Sequence, residues 1–152
     1  FHIKSATTRG GTVEDIHVRN ITMDSVGNAI LFTMNWNPAY SYSTLPAGYN
    51  PDSIPAHWKT MLHKVEPPEK GIPHFKDIYV SGITVASARK AISATGLEQS
   101  LITGVHIDHT TINAATAGDI GFAKDWRLDK VVITAKDGST LQIKNSTDVS
   151  LN

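Results

Sequence analysis

The stretch Val13-Glu-Asp-Ile-His-Val-Arg-Asn-Ile-Thr-Met23 recurs in this chain as Phe75-Lys-Asp-Ile-Tyr-Val-Ser-Gly-Ile-Thr-Val85 and as Ile102-Thr-Gly-Val-His-Ile-Asp-His-Thr-Thr-Ile112. We call these stretches repeats 1, 2 and 3. Apolar and polar residues alternate within each repeat, which is the spacing of a β-strand and not of a helix. Because a repeated unit buries its apolar face only against its neighbours, the recurrence predicts a stack of strand layers. A weaker repeat 4 is predicted to start at Leu128 and to run through Val131 and Ile133.

The spacing of the repeats predicts the architecture. The equivalent residues Ile78 and Val105 are 27 positions apart, and Val131 or Val132 is expected at the same place in repeat 4. A second apolar step follows within each period, at Ala29-Ile30, Ala91-Ile92 and Ile120. Several short strands per period predict an all-β fold, specifically a right-handed parallel β-helix of about four coils that belong to a longer solenoid. A β-sandwich would show turns every ~8–12 residues, and a leucine-rich repeat would need leucine at fixed positions.

A long insertion interrupts the period between repeats 1 and 2. Ile16 and Ile78 are 62 positions apart, and all seven prolines lie between positions 38 and 73. We therefore predict one domain over residues 1–152, with a loop insertion at residues 35–72 and a short helix around residues 57–62.

Composition excludes several classes of function. Lysine plus arginine equals aspartate plus glutamate, at 14 each, so no overall field favours nucleic acid or a membrane surface, and neither partner is expected. The absence of cysteine excludes disulfides and thiolate metal sites, and no metal or other cofactor is expected. No run of about 18 apolar residues is present. The chain starts at Phe1 inside a strand-like segment, which suggests a cut, a processed end or a fragment.

The first eleven residues contain the candidate binding residues. On a strand, His2 and Lys4 face one side while Phe1 and Ile3 face the other, so burial of the apolar pair would present two basic side chains outward. Such a pair suits a ligand that carries a carboxylate, although an ordinary solvated surface explains it too. The segment Arg9-Gly10-Gly11 is explained equally well as a turn.

These residues resemble a known family. Ile3-Lys4, then Arg9-Gly10-Gly11 and the strand of repeat 1, look like the C-terminal half of the polygalacturonases, the family 28 glycoside hydrolases. The resemblance covers the whole chain and implies a parallel β-helix that hydrolyses pectin backbones with inversion. It also implies that Lys4 matches the substrate-binding lysine and that Arg9 lies in the turn beside the cleft. His2 stands where the family has arginine.

The two departures from the family pattern have different consequences. Histidine is mostly neutral at pH 7, so recognition of a carboxylate by His2 would be weak or dependent on acid pH, and the substrate could be a mixed backbone of the rhamnogalacturonan type. The family's catalytic aspartate motifs precede the Ile-Lys segment, and this sequence contains no Asp-Asp pair. The fragment alone is therefore predicted to be inactive and to form one wall of a cleft.

The resemblance also implies partners and a location. The expected partners are a pectic oligo- or polysaccharide and the N-terminal part of the same enzyme, from the same gene or a companion fragment, or further copies of the chain bound end to end. A pectin-active enzyme of this kind would be periplasmic or secreted in a bacterium.

Aromatic residues in the insertion are the remaining candidates. Trp36 and Tyr40 leave the strand next to the one that carries Lys4, and exposed aromatic rings stack on sugars, although they could equally pack the insertion onto the core. Trp58 is expected to pack. The histidines are too dispersed for a metal site, and His17 and His106 are expected to stack in a ladder on the outer surface. The alternative functions are a non-catalytic β-helical carbohydrate-binding or adhesin module and a polysaccharide lyase fragment.

Overall fold

The structure, a computed structural model, describes residues 1–37 and 44–152. Strands account for 58% of the described residues and helices for 10%, and the strands pair in parallel, so the predicted all-β class is confirmed. The strands are β1 His2–Lys4, β2 Thr12–Val13, β3 Ile16–Arg19, β4 Thr22–Thr33, β5 His74–Ser81, β6 Thr84–Thr95, β7 Ile102–Gly121, β8 Ala123–Ala135, β9 Gln142–Lys144 and β10 Thr147–Leu151.

Repeats 1, 2 and 3 lie beside one another in register. Ile16 pairs with Ile78, and Ile78 pairs with Val105, each in parallel. The same offsets hold at the far end of the repeats, where Met23 pairs with Val85 and Val85 with Ile112. The prediction that the three repeats are neighbours in register is therefore confirmed.

The predicted start and spacing of repeat 4 are wrong. Val105 pairs with Trp126, and Ile107 pairs with Leu128, so neither Val131 nor Val132 holds the position equivalent to Val105. The period shortens because β6 and β7 are joined by residues 96–101, whereas β7 and β8 are joined by Phe122 alone. Repeat 4 is also hard to align in sequence because Trp126 takes the place that isoleucine or valine holds in the other repeats.

The second apolar step also differs from the prediction in its last copy. Ile30 pairs with Ile92 as expected, but Ile92 pairs with Gly118, and Ile120 lies opposite Ala94. The pairing of β6 with β7 shifts register between Val85 and Ala88, so β7 reaches this step one residue early.

One apolar core runs through the layers. Its largest fully buried side chains include Trp126, Phe32, Phe75, Ile78, Ile92 and Ile107. Removal of this apolar surface from water is the main driving force for folding, at roughly 25 cal/mol per Å² buried. The alternating strand residues that remain point outward, so any binding function lies on the outside of the layers.

Residues with a left-handed backbone recur at equivalent positions of the strands or just before them. A positive φ, between 53° and 61°, is found at Asp15, Asp77, Gly104, Asp125 and Asp148. Aspartate and glycine tolerate this left-handed conformation better than other residues. Both Asp15 and Asp77 are exposed, so these acids lie on the outer surface.

The described part of the insertion between β4 and β5 contains no β-strand. It contains one helix, α1 Ala56–Leu62, and two 3₁₀ turns at Pro51–Ser53 and Pro68–Gly71. The expected short helix is confirmed. Among the described residues, no helix has the length and apolar character that crossing a bilayer requires.

Candidate functional site

Strand β1 presents Lys4 on the outer surface. Ile3 is buried, at 9% exposure, while His2 and Lys4 on either side of it are exposed. Phe1 is only half-buried, and its ring lies edge-on against Phe32 at 5.6 Å. The alternation predicted for this strand is thus confirmed at the three strand residues, and Ile3 fixes the direction in which Lys4 points.

Trp36 lies directly against Lys4. The Lys4 Nζ atom is 3.7 Å from the centroid of the Trp36 ring, and the tryptophan remains 41% exposed. A cation over an aromatic face contributes about 0.5–1 kcal/mol at an exposed site. The structure therefore brings two of the predicted site residues together, although they are 32 positions apart in sequence.

Backbone hydrogen bonds hold this pair in place. Lys4 pairs with Thr33 at the end of β4, and the Ser5 amide donates to the Thr33 carbonyl at 2.9 Å. The Trp36 amide then donates to the Ser5 carbonyl at 2.8 Å. Both side chains are consequently carried by paired backbone and not by a free loop. We call Lys4 and Trp36 the Lys–Trp pair.

His2 is on the same side of β1 as Lys4, two residues earlier. Burial lowers the pKa of the His2 imidazole, and the positive charges of Lys4 and of the amino terminus lower it further. Since the ordinary histidine pKa is already near 6.5, His2 is neutral at pH 7. It can exchange hydrogen bonds with a sugar hydroxyl there, but it adds no second positive charge.

Arg9 belongs to a different part of the surface. Residues 7–9 form a turn, closed by the Arg9 amide donating to the Ala6 carbonyl at 2.9 Å. The exposed Arg9 lines a cleft of about 540 Å³ together with residues of the insertion, and neither Lys4 nor Trp36 lines that cleft. The predicted turn is present, and the predicted site residues fall into two groups.

The other aromatic candidates have different positions. Tyr40 lies outside the described residues. Trp58 is half-buried on α1, and its ring centroid is 5.6 Å from that of Tyr49, as expected for a residue that packs the insertion.

A ladder of stacked rings lies on the outer surface of β3, β5 and β7. His17 stacks on Tyr79 at 4.7 Å with an interplanar angle of 11°, and Tyr79 stacks on His106 at 5.2 Å and 14°. The predicted histidine ladder is confirmed, with a tyrosine as its middle ring. Each ring face inside the ladder is covered by its neighbour, so the ladder stabilises the layers and offers ring edges to a ligand.

No group of three or more histidine, aspartate or glutamate side chains in the described part of the chain could hold a metal ion. The chain matches no model of a known protein family, no curated protein and no solved structure. The resemblance to the polygalacturonases consequently depends on the residues quoted above.

Sequence analysis offered no signal for the insertion residues that line the cleft with Arg9. Lys64 and Glu66 follow α1 in a segment without a repeating pattern. Only the folded structure shows that they line the same cleft as Arg9.

Proposed function

We propose that this chain is the C-terminal, cleft-lining part of a pectin-degrading glycoside hydrolase of the polygalacturonase type. The observation that supports this function best is the Lys–Trp pair, an ammonium 3.7 Å from the centroid of an exposed aromatic ring on the outer surface. A uronic acid has a carboxylate, which an ammonium binds, and an apolar ring face, which an aromatic ring contacts.

The chemistry of the pair fits an acidic sugar. The Lys4 ammonium donates charge-assisted hydrogen bonds to a carboxylate, which are about twice as strong as neutral ones. The exposed part of the Trp36 ring offers apolar surface to the C–H groups of a pyranose. Because paired backbone carries both residues, binding of a sugar has to order their side chains but little backbone.

The same proposal includes a right-handed parallel β-helix for the whole chain. Strand β7 supports it, because its first part pairs with β5 and its later part with β6, while β8 and β9 pair along its other edge. Equivalent residues of successive repeats pair with each other in parallel, as they do in stacked coils. Parallel crossovers are right-handed in about 98% of known cases, which favours that hand.

Catalysis would require the aspartate motifs of the family, and this sequence contains no Asp-Asp pair. Inverting hydrolysis needs two carboxyl groups roughly 6.5–9.5 Å apart on either side of the scissile bond. The acids of the repeats serve as turn or outer-surface residues instead, as Asp15 and Asp77 show. We therefore expect binding without hydrolysis from this chain, with the catalytic pair supplied by another segment.

The proposed function is tested by titrating the chain with oligogalacturonates and with neutral galactose oligomers, using isothermal titration calorimetry. The acidic oligomers should bind more tightly. Lys4→Ala should weaken their binding about ten- to a hundredfold, because a hydrogen bond to a charged group contributes roughly 1.5–3 kcal/mol. Trp36→Ala should weaken binding several-fold, and Lys4→Arg should retain most of it.

The control is Lys136→Ala, which removes an exposed lysine beyond the end of β8. It should leave the affinity unchanged. Equal affinity for acidic and neutral oligomers, or full affinity in Lys4→Ala, would contradict the proposed function.

The pH dependence of the same titration tests the role of His2 in binding the acidic oligomer. Its pKa is lowered, so the imidazolium forms only as the pH falls well below 7, and affinity for the acidic oligomer should rise at that point. His2→Arg should bind the acidic oligomer tightly at pH 7 as well. If this variant kept the same preference between galacturonan and rhamnogalacturonan, the idea of a mixed-backbone substrate would be abandoned.

The first layer of the structure supports the proposed partner, a preceding coil. Ile16 and Val18 are only half-buried, whereas their equivalents Ile78 and Val80 are 0% and 1% exposed. The free edge of β3 also leaves strand hydrogen-bonding groups unpaired, which is a known cause of association. A preceding coil of the same enzyme, or the last layer of another copy, would cover the apolar side chains and pair with the free strand edge.

We expect the isolated chain to self-associate, measured by sedimentation velocity across a range of protein concentrations. Ile16→Lys combined with Val18→Lys should reduce the association, because two charges would be buried at the contact. Ser87→Lys, at an exposed position on β6, is the matched control and should not reduce it. A cooperatively folded monomer at all concentrations would contradict this partner.

A further inference from the structure

The cleft beside Arg9 is a concave site apart from the Lys–Trp pair, neither residue of which lines it. It has a volume of about 540 Å³ and lies between the turn at residues 7–9 and the segment that follows α1. We call it the Arg9 cleft. Its lining includes Arg9, Leu62, Lys64, Glu66, Glu69 and Ile72.

The charged residues of the Arg9 cleft are available to a ligand. Arg9, Lys64, Glu66 and Glu69 are exposed, and none of the ion pairs among the described residues involves them. A guanidinium binds a carboxylate in a planar, bidentate arrangement, and a lysine adds a second positive charge. The two glutamates accept hydrogen bonds from hydroxyl groups. Leu62 and Ile72 add apolar surface.

The two walls of the cleft are held together where they meet. The Gly10 amide donates to the Gly71 carbonyl at 2.8 Å, which joins the turn to the end of the insertion. Gly10 has a φ of +58°, and a Cβ atom there would lie far inside contact distance of the Lys70 carbonyl oxygen. This close approach of two backbones means that the cleft is formed before a ligand arrives.

The cleft and the Lys–Trp pair are connected through one short segment. Lys4 and Arg9 are five residues apart, so their Cα atoms are at most about 18 Å from each other. Between them, Thr7 lines the cleft and its hydroxyl donates to the Asn35 side-chain oxygen at 3.4 Å, next to Trp36. An oligomer bound at the Lys–Trp pair can therefore extend past Thr7 into the cleft.

We propose that the Arg9 cleft binds a further acidic sugar of the same oligomer, with Arg9 and Lys64 holding its carboxylate and the glutamates accepting hydrogen bonds from its hydroxyls. This inference rests on the proposed function, since it assigns a sugar beyond the first two of a ligand whose first sugar contacts Lys4. It makes the affinity depend on the length of the oligomer.

The test compares a disaccharide of galacturonate with longer oligogalacturonates, titrated by calorimetry against five forms of the chain, the unaltered one and four variants. Arg9→Ala and Lys64→Ala should each weaken binding of the longer oligomers about tenfold and leave the affinity for the disaccharide unchanged. Lys4→Ala should weaken both. Arg19→Ala, which removes an exposed arginine on β3, is the control and should weaken neither.

The outcomes separate the two proposals. Unchanged affinity for the longer oligomers in Arg9→Ala and Lys64→Ala, together with a loss in Lys4→Ala, overturns the cleft assignment and leaves the proposed function standing. Equal losses for short and long oligomers in Arg9→Ala also overturn it, because Arg9 would then act at the first sugar. If no acidic oligomer binds to the unaltered chain, both proposals fail.

Discussion

Gly118→Ala should lower the free energy of unfolding by about 4 kcal/mol or more, or prevent folding altogether. Gly118 lies in β7 opposite Ile92 and has a φ of +97°. A Cβ atom on it would penetrate the Ile92 carbonyl oxygen and would lie 2.8 Å from Lys90 Cγ. The left-handed backbone alone costs an L-residue roughly 1–2 kcal/mol, and the carbonyl can move away only by disrupting the pairing of β6 with β7.

The measurement is urea denaturation followed by circular dichroism, at one fixed protein concentration because association would shift the apparent stability. Gly138→Ala is the matched control. Gly138 also has a positive φ, of +71°, but no atom lies within 4 Å of the position its Cβ would take. The control should therefore lose only about 1–2 kcal/mol, from backbone strain. Equal losses in the two variants would mean that the close approach at Gly118 is not formed.

Much of the strand architecture could be predicted because the repeats can be aligned with one another. Three repeats with apolar residues at the same places fix both the strand period and the parallel register of Ile16, Ile78 and Val105. The left-handed backbone at Asp15 and Asp77 also recurs at equivalent places in repeats 1 and 2, where aspartate tolerates it. The physical reason is local, because alternation and turn chemistry act over a few residues.

Repeat 4 could not be predicted from the same signals. A single short connection through Phe122 changes the spacing, and Trp126 replaces the branched residue that marks the other repeats. Apolar residues further along, such as Val131, also alternate with polar ones, so the sequence fits a second, incorrect register equally well. Only the pairing of whole strands distinguishes the two alignments, and that pairing is a long-range property.

The candidate site was predictable in part for a similar reason. The outward direction of Lys4 follows from alternation on β1, but its contact with Trp36 depends on the pairing of Lys4 with Thr33. That pairing joins segments almost thirty residues apart. The Arg9 cleft depends further on how the insertion returns to β5, and its residues follow no period that sequence analysis could use.

The register of repeat 4 leads to the second large prediction, for Trp126→Ala. Trp126 is fully buried, its indole Nε1–H donates to the Ile102 carbonyl at 2.9 Å, and its ring centroid is 5.8 Å from that of Phe32. Truncation of a large buried aromatic residue costs about 3–5 kcal/mol, and the Ile102 carbonyl would lose its indole donor at a further cost of about 1 kcal/mol. We expect the variant to be largely unfolded at 37 °C or to melt far below the unaltered chain, as measured by circular dichroism.

Two further variants separate the causes of that loss. Trp126→Phe keeps most of the ring volume but removes the hydrogen bond, so it should lose about 1–3 kcal/mol. Trp58→Ala removes a half-buried tryptophan from the insertion, away from the layered core, and should cost less than either. Trp126 connects β7, through Ile102, to β4, through Phe32, and it does so only if it holds the place opposite Val105. A loss in Trp126→Ala no greater than that in Trp58→Ala would mean that repeat 4 is paired in the other register, with Val131 or Val132 in the core.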